Sequence, residues 1–568
     1  MTETENLTLA ADFPAADREA WRQLAEAALK GVPFDKALTR RLAEGIVTEP
    51  IYAADTAGPP ADAATRNAAA TARAAFGWDI RQRHAHPDPK AVNKAVLTDL
   101  ERGATSVILR LDRAGRRGGT ARTDPARAGE DGVLLHSVAA LETALDGVFL
   151  DAATVAVQPG GAFGATAAML EAVWQARGLD GQQVLGHLGA DPLGTLAEEG
   201  MLPEPLDRSM QRMARLAAHV SSTYPKVTSV SVDTAAYHGA GANEAMDLAY
   251  ALATGVAYLR AMEAEGLSVE QAAAQIEFSL PVGVDVFLGI AKLRAARRLW
   301  AAVLGASGAA EEARAMRLHV ITAPNAWAGR DSWVNMLRAT VATFAGAVGG
   351  ADSLTVLPYS HANGLPDGFA RRIARNTQVI LAEESNLARV GDPAGGSWYV
   401  ESLTDQLAVR AWEAFQAIEA AGGMATHLTS GAVARDCAAA WSERERRIAG
   451  RREELTGVNA FPKVDEKPVD LEPVDRAALV AAAGEALQGE ERTLDALLSA
   501  EGPAATATAP TTHRLGEAFE ALRDAADAAA KRPTALLVQL GGPAMATARA
   551  TFARNHLGTG GIVCTDAD

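Results

Sequence analysis

Between about residues 70 and 400, strand-like segments alternate with helix-like ones, and this alternation limits the possible folds more than any other feature. Strands are expected at Thr105–Leu111, Thr154–Gln158, Gln183–Leu188, Val227–Val232, Ile276–Leu280, Leu318–Ile321 and Ser353–Leu357. Helices such as Lys90–Glu101, Ser209–Ser221, Val286–Leu304 and Ser332–Ala347 fall between most of them. An alternation sustained this long favours a closed parallel barrel ringed by helices, with a doubly wound open sheet as the competing layout.

In such a barrel the chemistry sits where strands end and helices begin. Val227–Arg260 offers such a place. Val-Thr-Ser-Val-Ser-Val alternates as a strand. A turn through the small residues Thr234–Gly241 follows, then a helix with Met246, Leu248, Leu252, Val256 and Leu259 near the helical period. Tyr237 and His238 lie in the turn, which makes them candidates for catalysis. A polar histidine in a surface loop is the plainer reading.

The chain has 568 residues, enough for two or three compact units, and 48% hydrophobic with 22% charged content suits a large core. A net charge of -16 argues against nucleic acid and anionic membranes as main partners. Two cysteines, Cys437 and Cys564, form no disulfide framework or paired metal motif, so no metal site and a reducing cytoplasmic setting are expected. The first residues are acidic and polar, unlike a secretory signal, and no apolar run is long enough to span a bilayer.

Outside the alternating region the chain divides further. Residues 1–70 form an arm with one helix, about Ala15–Lys30, carrying Trp21, Leu24, Ala28 and Leu29 on one side and stopped by Gly31 and Pro33. After the break at Gly58-Pro59-Pro60 the barrel is expected over 71–402. The arm wraps either a partner or its own barrel. Residues 403–530 hold helices around Trp412 and Phe415, an extended connector at Gly457–Glu472 and a second linker at Thr506–Thr512. Residues 531–568 contain a strand at Thr534–Leu540, the turn Gly541-Gly542-Pro543, and a short strand at Gly561–Cys564. One strand–helix–strand unit is about a third of a normal α/β domain.

Several motifs carry a resemblance. Gly77–Gln82 (GWDIRQ), Asp247–Ala261 (DLAYALATGVAYLRA), Ala291–Trp300 (AKLRAARRLW) and Ala370–Glu401 (ARRIARNTQVILAEESNLARVGDPAGGSWYVE) resemble the adenosylcobalamin-dependent acyl-CoA mutases, above all the methylmalonyl-CoA mutase family. The resemblance covers about Phe76–Glu401 and continues more weakly beyond. It implies an α/β architecture: a (β/α)8 TIM barrel, a helical linker, and here a truncated, degenerate flavodoxin-like domain of the cobalamin-binding type. In that chemistry the cofactor performs the hard step, while the protein encloses the radical and orients the thioester.

The departures from the family pattern fall where its chemistry lies. Catalytic members carry Gly-Tyr-His after the strand matching Val227–Val232. Alignment on Ala240-Gly241-Ala242 puts Thr234-Ala235-Ala236 there, and alanine has no donor. A two-residue slip would bring Tyr237-His238 into register and move the imidazole by about 6–7 Å. The radical-shielding tyrosine is missing from Ala74-Ala75-Phe76-Gly77. In Gly186–Gly200 the family's Gln-Asn-Asp is Gly189-Ala190-Asp191, so only Asp191 remains as a candidate, and no arginine follows until Arg208. A substrate carboxylate would lack its guanidinium fork. The family's Leu-His-Thr-Asn is Leu354-Thr355-Val356-Leu357. In the C-terminal unit, the cobalt-ligating Asp-x-His-x-x-Gly matches Pro543, Met545 and Ala548, and His556 is the nearest imidazole. A ligating histidine needs an orienting partner, and none is present at those positions.

The retained motifs have structural readings beside functional ones. Arg371-Arg372 and Arg375 with Glu383-Glu384 could hold phosphate or form surface and interface ion pairs. Arg294, Arg297 and Arg298 share one helix face, as a solvated or partner-facing stripe. The pattern resembles the smaller, non-catalytic subunit of heterodimeric methylmalonyl-CoA mutases. That implies a large catalytic partner holding adenosylcobalamin and acyl-CoA, with no cofactor bound by this chain. The alternative is a catalytic mutase chain that uses His238 with a cobalamin domain on another polypeptide. A free-standing acyl-CoA-binding protein is a third possibility.

Overall fold

The computed structural model describes residues 17–54, 77–498 and 502–567. Eight parallel strands close a barrel: β1 (Asp79–His84), β2 (Ser106–Arg110), β3 (Thr154–Gln158), β4 (Gly186–Ala190), β5 (Val227–Asp233), β6 (Ile276–Val282), β7 (Arg317–Thr322) and β8 (Ser353–Thr355). Neighbours pair in chain order, and β8 returns to β1 through Ser353 opposite Asp79 and Leu354 opposite Ile80. The architecture is α/β with a closed TIM-like barrel, so the open-sheet layout is excluded.

Outside the barrel stand α1 (Arg18–Ala28), α2 (Pro89–Leu100), α3 (Phe163–Ala176), α4 (Pro192–Glu199), α5 (Leu206–Thr223), α6 (Glu244–Ala264), α7 (Val286–Ala306), α8 (Val334–Val348), α9 (Gly368–Val379) and α10 (Trp398–Ala420). Their starts are written in the sequence. Asp88, Asp191, Asn243 and Asp285 each accept a backbone N–H from the first turn of α2, α4, α6 and α7. Each such cap is worth about 1 kcal/mol.

The apolar core lies between strands and helices. Val107, Leu109, Val155, Val157, Val230, Val232, Phe278, Leu280, Leu318 and Val320 are buried outside the strands, against the helices. Phe278 meets Trp300 of α7 edge-on at 4.7 Å between ring centroids. Gly255 of α6 permits that contact, because a Cβ there would approach Trp300 to 2.8 Å. The alternate strand positions point into the barrel and are largely polar.

β1 is the strand that alternation missed. Asp-Ile-Arg-Gln-Arg-His has no run of apolar residues, because Arg81 and Arg83 face inward while Ile80, Gln82 and His84 face the helices. β4 lies at Gly186–Ala190, later than expected, with a register irregularity between His187 and Ala190. The expected arm helix is α1, capped by Asp17, and Ala15 and Ala16 lie outside the described residues. None of its residues is buried, and Leu24 is 73% exposed. The Gly58-Pro59-Pro60 break and Ala74-Ala75-Phe76 also lie outside the described residues.

The arginine stripe is corrected by the structure. Arg294 and Arg297 are buried, not solvated. Arg294 pairs with Glu401 at 2.6 Å and with Asp392. Arg297 donates to the carbonyls of Met316 and Gly350 and pairs with Asp352 at 3.0 Å. Arg375, also buried, pairs with Asp99. These guanidinium groups staple helices and loops to the barrel.

At the C-terminus, β9 (Thr534–Leu537) and β10 (Val563–Asp566) pair in parallel around α11 (Pro543–Gly558). The strand–helix–strand unit is present. Two paired strands and a helix do not by themselves show the truncated, degenerate flavodoxin-like domain that the resemblance implied. Among the described residues, no helix is long and apolar enough to cross a membrane, and no group of three or more His, Cys, Asp or Glu side chains could hold a metal ion.

Candidate functional site

A cavity of about 560 Å³ occupies the C-terminal mouth of the barrel. Its walls come from strand ends and the loops beyond them: Arg83, Arg110, Gln158, Asp191, Asp233 and Ser279 from the strand side, with Arg116, Asp131, Glu198 and His361 from the loops and α4. The chain's own linker closes part of the mouth. Ala505–Thr506 pairs antiparallel with Met201–Leu202, His513 N–H donates to the Gly239 carbonyl at 2.8 Å, and Leu515 N–H donates to the Asn325 carbonyl at 2.9 Å. The His513 ring lies flat on Trp441, with centroids 4.4 Å apart. The segment expected as a second linker, Thr506–Thr512, runs as a strap across the mouth, and Thr512, His513, Arg514 and Glu517 line the cavity.

A second cavity, about 530 Å³, opens at the opposite end of the barrel. Arg81, His187 and Glu277 line both cavities and divide the barrel axis between them. Arg81 Nη1 donates to Glu277 Oε1 at 2.7 Å, and its Nε donates to Ser106 Oγ at 3.1 Å. Burial opposes the charge on Glu277, but Arg81 outweighs it and holds the carboxyl well below its usual range. Beside this pair, burial pushes the His187 imidazole down to about 4 and that of His319 down to about 3, so both are neutral at physiological pH. His187 Nδ1 lies 2.8 Å from Thr228 Oγ1, and His319 Nδ1 lies 2.7 Å from Ser353 Oγ.

Tyr237 and His238 do not reach the mouth. The turn expected as a loop is a short helix, Ala235–Gly239, and its Ala235, Ala236 and Gly239 line the cavity. Tyr237 turns back into the core against Tyr250, with ring centroids 5.1 Å apart. His238 is 3% exposed, with Nε2 at 3.3 Å from Glu244 Oε1, and Asn325 Nδ2 donates to its carbonyl at 3.1 Å. Glu244 in turn pairs with Lys292. The imidazole belongs to a buried ionic network behind the barrel wall.

Asp191 does line the cavity, and its carboxylate ties three elements together. It accepts the N–H of Gly194 at 2.9 Å, the N–H of Asp233 at 2.9 Å, and the Tyr258 hydroxyl. Burial pushes it up to about 7 in spite of these donors. The raised folded value means that the folded chain holds this proton over a range where the unfolded chain, at 3.8, has lost it. Wild type should therefore lose stability relative to Asp191→Asn as pH rises from 4 to 7, by about 1.4 kcal/mol per pH unit, and level off above 7. Urea unfolding of both proteins at pH 4.5, 6 and 8 measures this. A constant difference would mean the carboxyl titrates normally.

The remaining positions singled out from the sequence are dispersed. Gly189, at φ +63°, cannot carry a longer side chain here, because a Cβ would lie 2.2 Å from the Val157 carbonyl oxygen. Leu354, Thr355, Val356 and Leu357 are buried in the wall. Arg208 is exposed on the first turn of α5 and does not line the cavity. Pro543, Met545 and Ala548 lie exposed on the first turns of α11, and His556 at its far end stacks on Phe552. These side chains offer no imidazole to a cobalt ion at the helix start, so they do not fit a cobalamin lower ligand.

Sequence reading missed Arg83, Arg110, Arg116, Asp131, Glu198 and His361. The signal available was the two-residue spacing of Arg81 and Arg83 on β1, which puts both on one strand face.

Comparison with known proteins places the chain. A family profile described as methylmalonyl-CoA mutase matches residues 36–533. A Streptomyces virginiae protein named methylmalonyl-CoA mutase small subunit is 43% identical over 98% of this chain and 85% of its own length. A protein of the same name from Propionibacterium freudenreichii subsp. shermanii is 35% identical over 94% of this chain and 78% of its own. A Cereibacter sphaeroides protein named methylmalonyl-CoA mutase is 32% identical over 91% and 74%. The motifs, the closed barrel and these matches agree, and the chain belongs to the methylmalonyl-CoA mutase family.

Proposed function

We propose that this chain is the small, non-catalytic subunit of an adenosylcobalamin-dependent methylmalonyl-CoA mutase, the enzyme interconverting (R)-methylmalonyl-CoA and succinyl-CoA. It pairs in the cytoplasm with a homologous large subunit that holds the cofactor and the acyl-CoA, and it stabilises that subunit. The observation that carries the reading is the barrel mouth. Ala235 and Ala236 line it at the positions that match the Tyr-His of catalytic members, while His238 is engaged with Glu244 behind the wall.

Three further features support it. The Arg81–Glu277 pair lies across the axis that an extended ligand would thread. The start of α11 carries Pro543, Met545 and Ala548, none of which ligates cobalt as a histidine does. The arm helix α1 leaves Leu24 exposed, as suits a segment covered by another chain. The residues group as an arm (1–70), a barrel (71–402), a helical and linker region (403–530) and a remnant of a cobalamin-binding-type domain (531–568). No step of the isomerisation is assigned to this chain.

Co-expression with a candidate large subunit, followed by sizing and a methylmalonyl-CoA turnover assay, tests the proposal. A stable one-to-one complex is expected, with turnover in His238→Ala within twofold of wild type. A chain that remains alone, or turnover that collapses in His238→Ala, would return the active site to the loop after β5 and favour the catalytic alternative.

A further inference from the structure

Arg83 stands apart from the other cations of the mouth. Arg110 donates to Asp131 from Nε at 3.0 Å and from Nη2 at 2.8 Å, and it also pairs with Glu198. Arg116 pairs with Glu199 at 2.8 Å and donates to the carbonyls of Leu111 and Asp131. Arg514 pairs with Glu520 at 2.6 Å. Among the described residues Arg83 has one polar contact, 3.5 Å to Asp131 Oδ1, and that carboxylate is already shared by Arg110 and Arg116. Its Nε is buried with no hydrogen-bond partner among the described residues, and its side chain is only 13% exposed. A guanidinium carries five N–H donors, so most of this one's capacity is unused.

Its surroundings favour an added negative charge. Burial, followed by repulsion from Arg110, lowers Arg83 to about 10, still charged at neutral pH. His361 lines the same cavity and is held neutral, pushed down to about 4 by burial and then by Arg83. It can donate or accept one hydrogen bond. Beside Asp131, Glu198, Glu277 and Glu517, which are engaged with Arg83 and Arg110, with Arg110, with Arg81 and with His513, Asp191 and Asp233 also line the space. Burial raises Asp191 to about 7 and Asp233 to about 6, so either can take up a proton as an anion enters. The cavity, at about 560 Å³, exceeds a single ion and suits a small organic molecule.

We infer that the barrel mouth is a binding site for a small oxyanion, a phosphate or carboxylate group, received by Arg83 with His361 alongside. The site is built by β1, the loop after β2 and the loop after β8. It goes beyond the subunit role proposed above and does not rest on it, since a non-catalytic barrel can still take a ligand. A charge-assisted pair with a guanidinium supplies both energy and orientation. Binding would supply the counter-charge that the fold leaves out at Arg83.

Titration of the full-length chain at pH 7.5 with sodium phosphate and, separately, sodium succinate tests the inference. Sodium chloride holds the ionic strength constant, and calorimetric heat and the thermal midpoint are read. At least one probe is expected to bind saturably and raise the midpoint above the chloride control. Phosphate alone would identify a phosphoryl ligand, and succinate alone a carboxylate. Affinity should fall at least tenfold in Arg83→Met and by less in Arg83→Lys. Arg83→Met should keep the wild-type circular dichroism spectrum, because it removes one long contact. Should it fail to fold, Arg83→Gln carries the same expectation. Absence of saturable binding by both probes overturns the inference, as does affinity unchanged in Arg83→Met or its replacement.

Discussion

Glu277→Leu is expected to destabilise the chain by about 3–5 kcal/mol, because it leaves the buried Arg81 guanidinium without its main counter-charge. Arg81 and Glu277 are 5% and 6% exposed, and the 2.7 Å bond between them crosses the barrel axis. After the substitution Arg81 keeps Asp79 at 3.2 Å and the Ser106 hydroxyl. These lie toward the N-terminal end and cannot replace a carboxylate that itself sits against His187. The double variant Arg81→Met/Glu277→Leu should recover most of the loss, since two apolar groups of similar volume need no counter-charge. Urea unfolding of the two single variants and the double variant gives the coupling directly. A single-variant cost below about 1 kcal/mol would mean that water reaches the pair and that the two cavities are continuous.

Lys292→Met is expected to cost a similar amount, about 3–5 kcal/mol, for the opposite reason: it strands carboxylates. Lys292 is fully buried on α7. Its Nζ donates to the Pro281 carbonyl at 2.7 Å and pairs with Asp247 at 2.6 Å and with Glu244. Burial alone would lower the lysine, but Asp247 and Glu244 outweigh it and keep the ammonium charged. The same network holds His238 through Glu244, and the Glu244 N–H donates to Glu44 at 3.1 Å. Glu44 lies in a hairpin where Arg40–Arg41 pairs antiparallel with Val47–Thr48, so loss of the cation should loosen the docking of this hairpin as well as the barrel wall. Urea unfolding gives the global loss, and hydrogen exchange at Glu244 reports the local one. Asp247→Asn alone, which leaves Glu244 on the lysine, should cost less than Lys292→Met. A larger loss from Asp247→Asn would show that the lysine is not the centre of the network.

The legible part of the fold was the part governed by local pattern. Seven barrel strands were placed near their observed positions because their outward faces alternate with small or polar inward residues. The helices between them begin at side chains that cap, such as Asp88 and Asp285. β1 was not legible as a strand, because its inward residues are arginines and only Ile80 marks its outward face as apolar. Arg294 and Arg297 of α7 differ from the expected stripe for a related reason, while Arg298 stays partly exposed. Their helical spacing describes a face, but whether that face meets water or the Gly350 carbonyl depends on a loop some fifty residues later.

The site divides in the same way. That Ala235 and Ala236 carry no side-chain donor, and that Pro543, Met545 and Ala548 carry no imidazole, is a matter of residue identity, and the sequence determined it. Which functional groups a side chain carries does not depend on the fold. Where Tyr237 and His238 point was decided by tertiary structure, since a short helix at Ala235–Gly239 rotates them toward Tyr250 and Glu244. The convergence of Arg83, Arg110, Arg116 and Asp131 was also tertiary. Barrel closure and the loop after β2 bring four charges from separated segments into one space of low dielectric, where each one's state depends on the others. Local sequence specifies which groups a chain possesses. Only closure of the barrel determines which of them share a cavity, and burial there determines which remain without a partner.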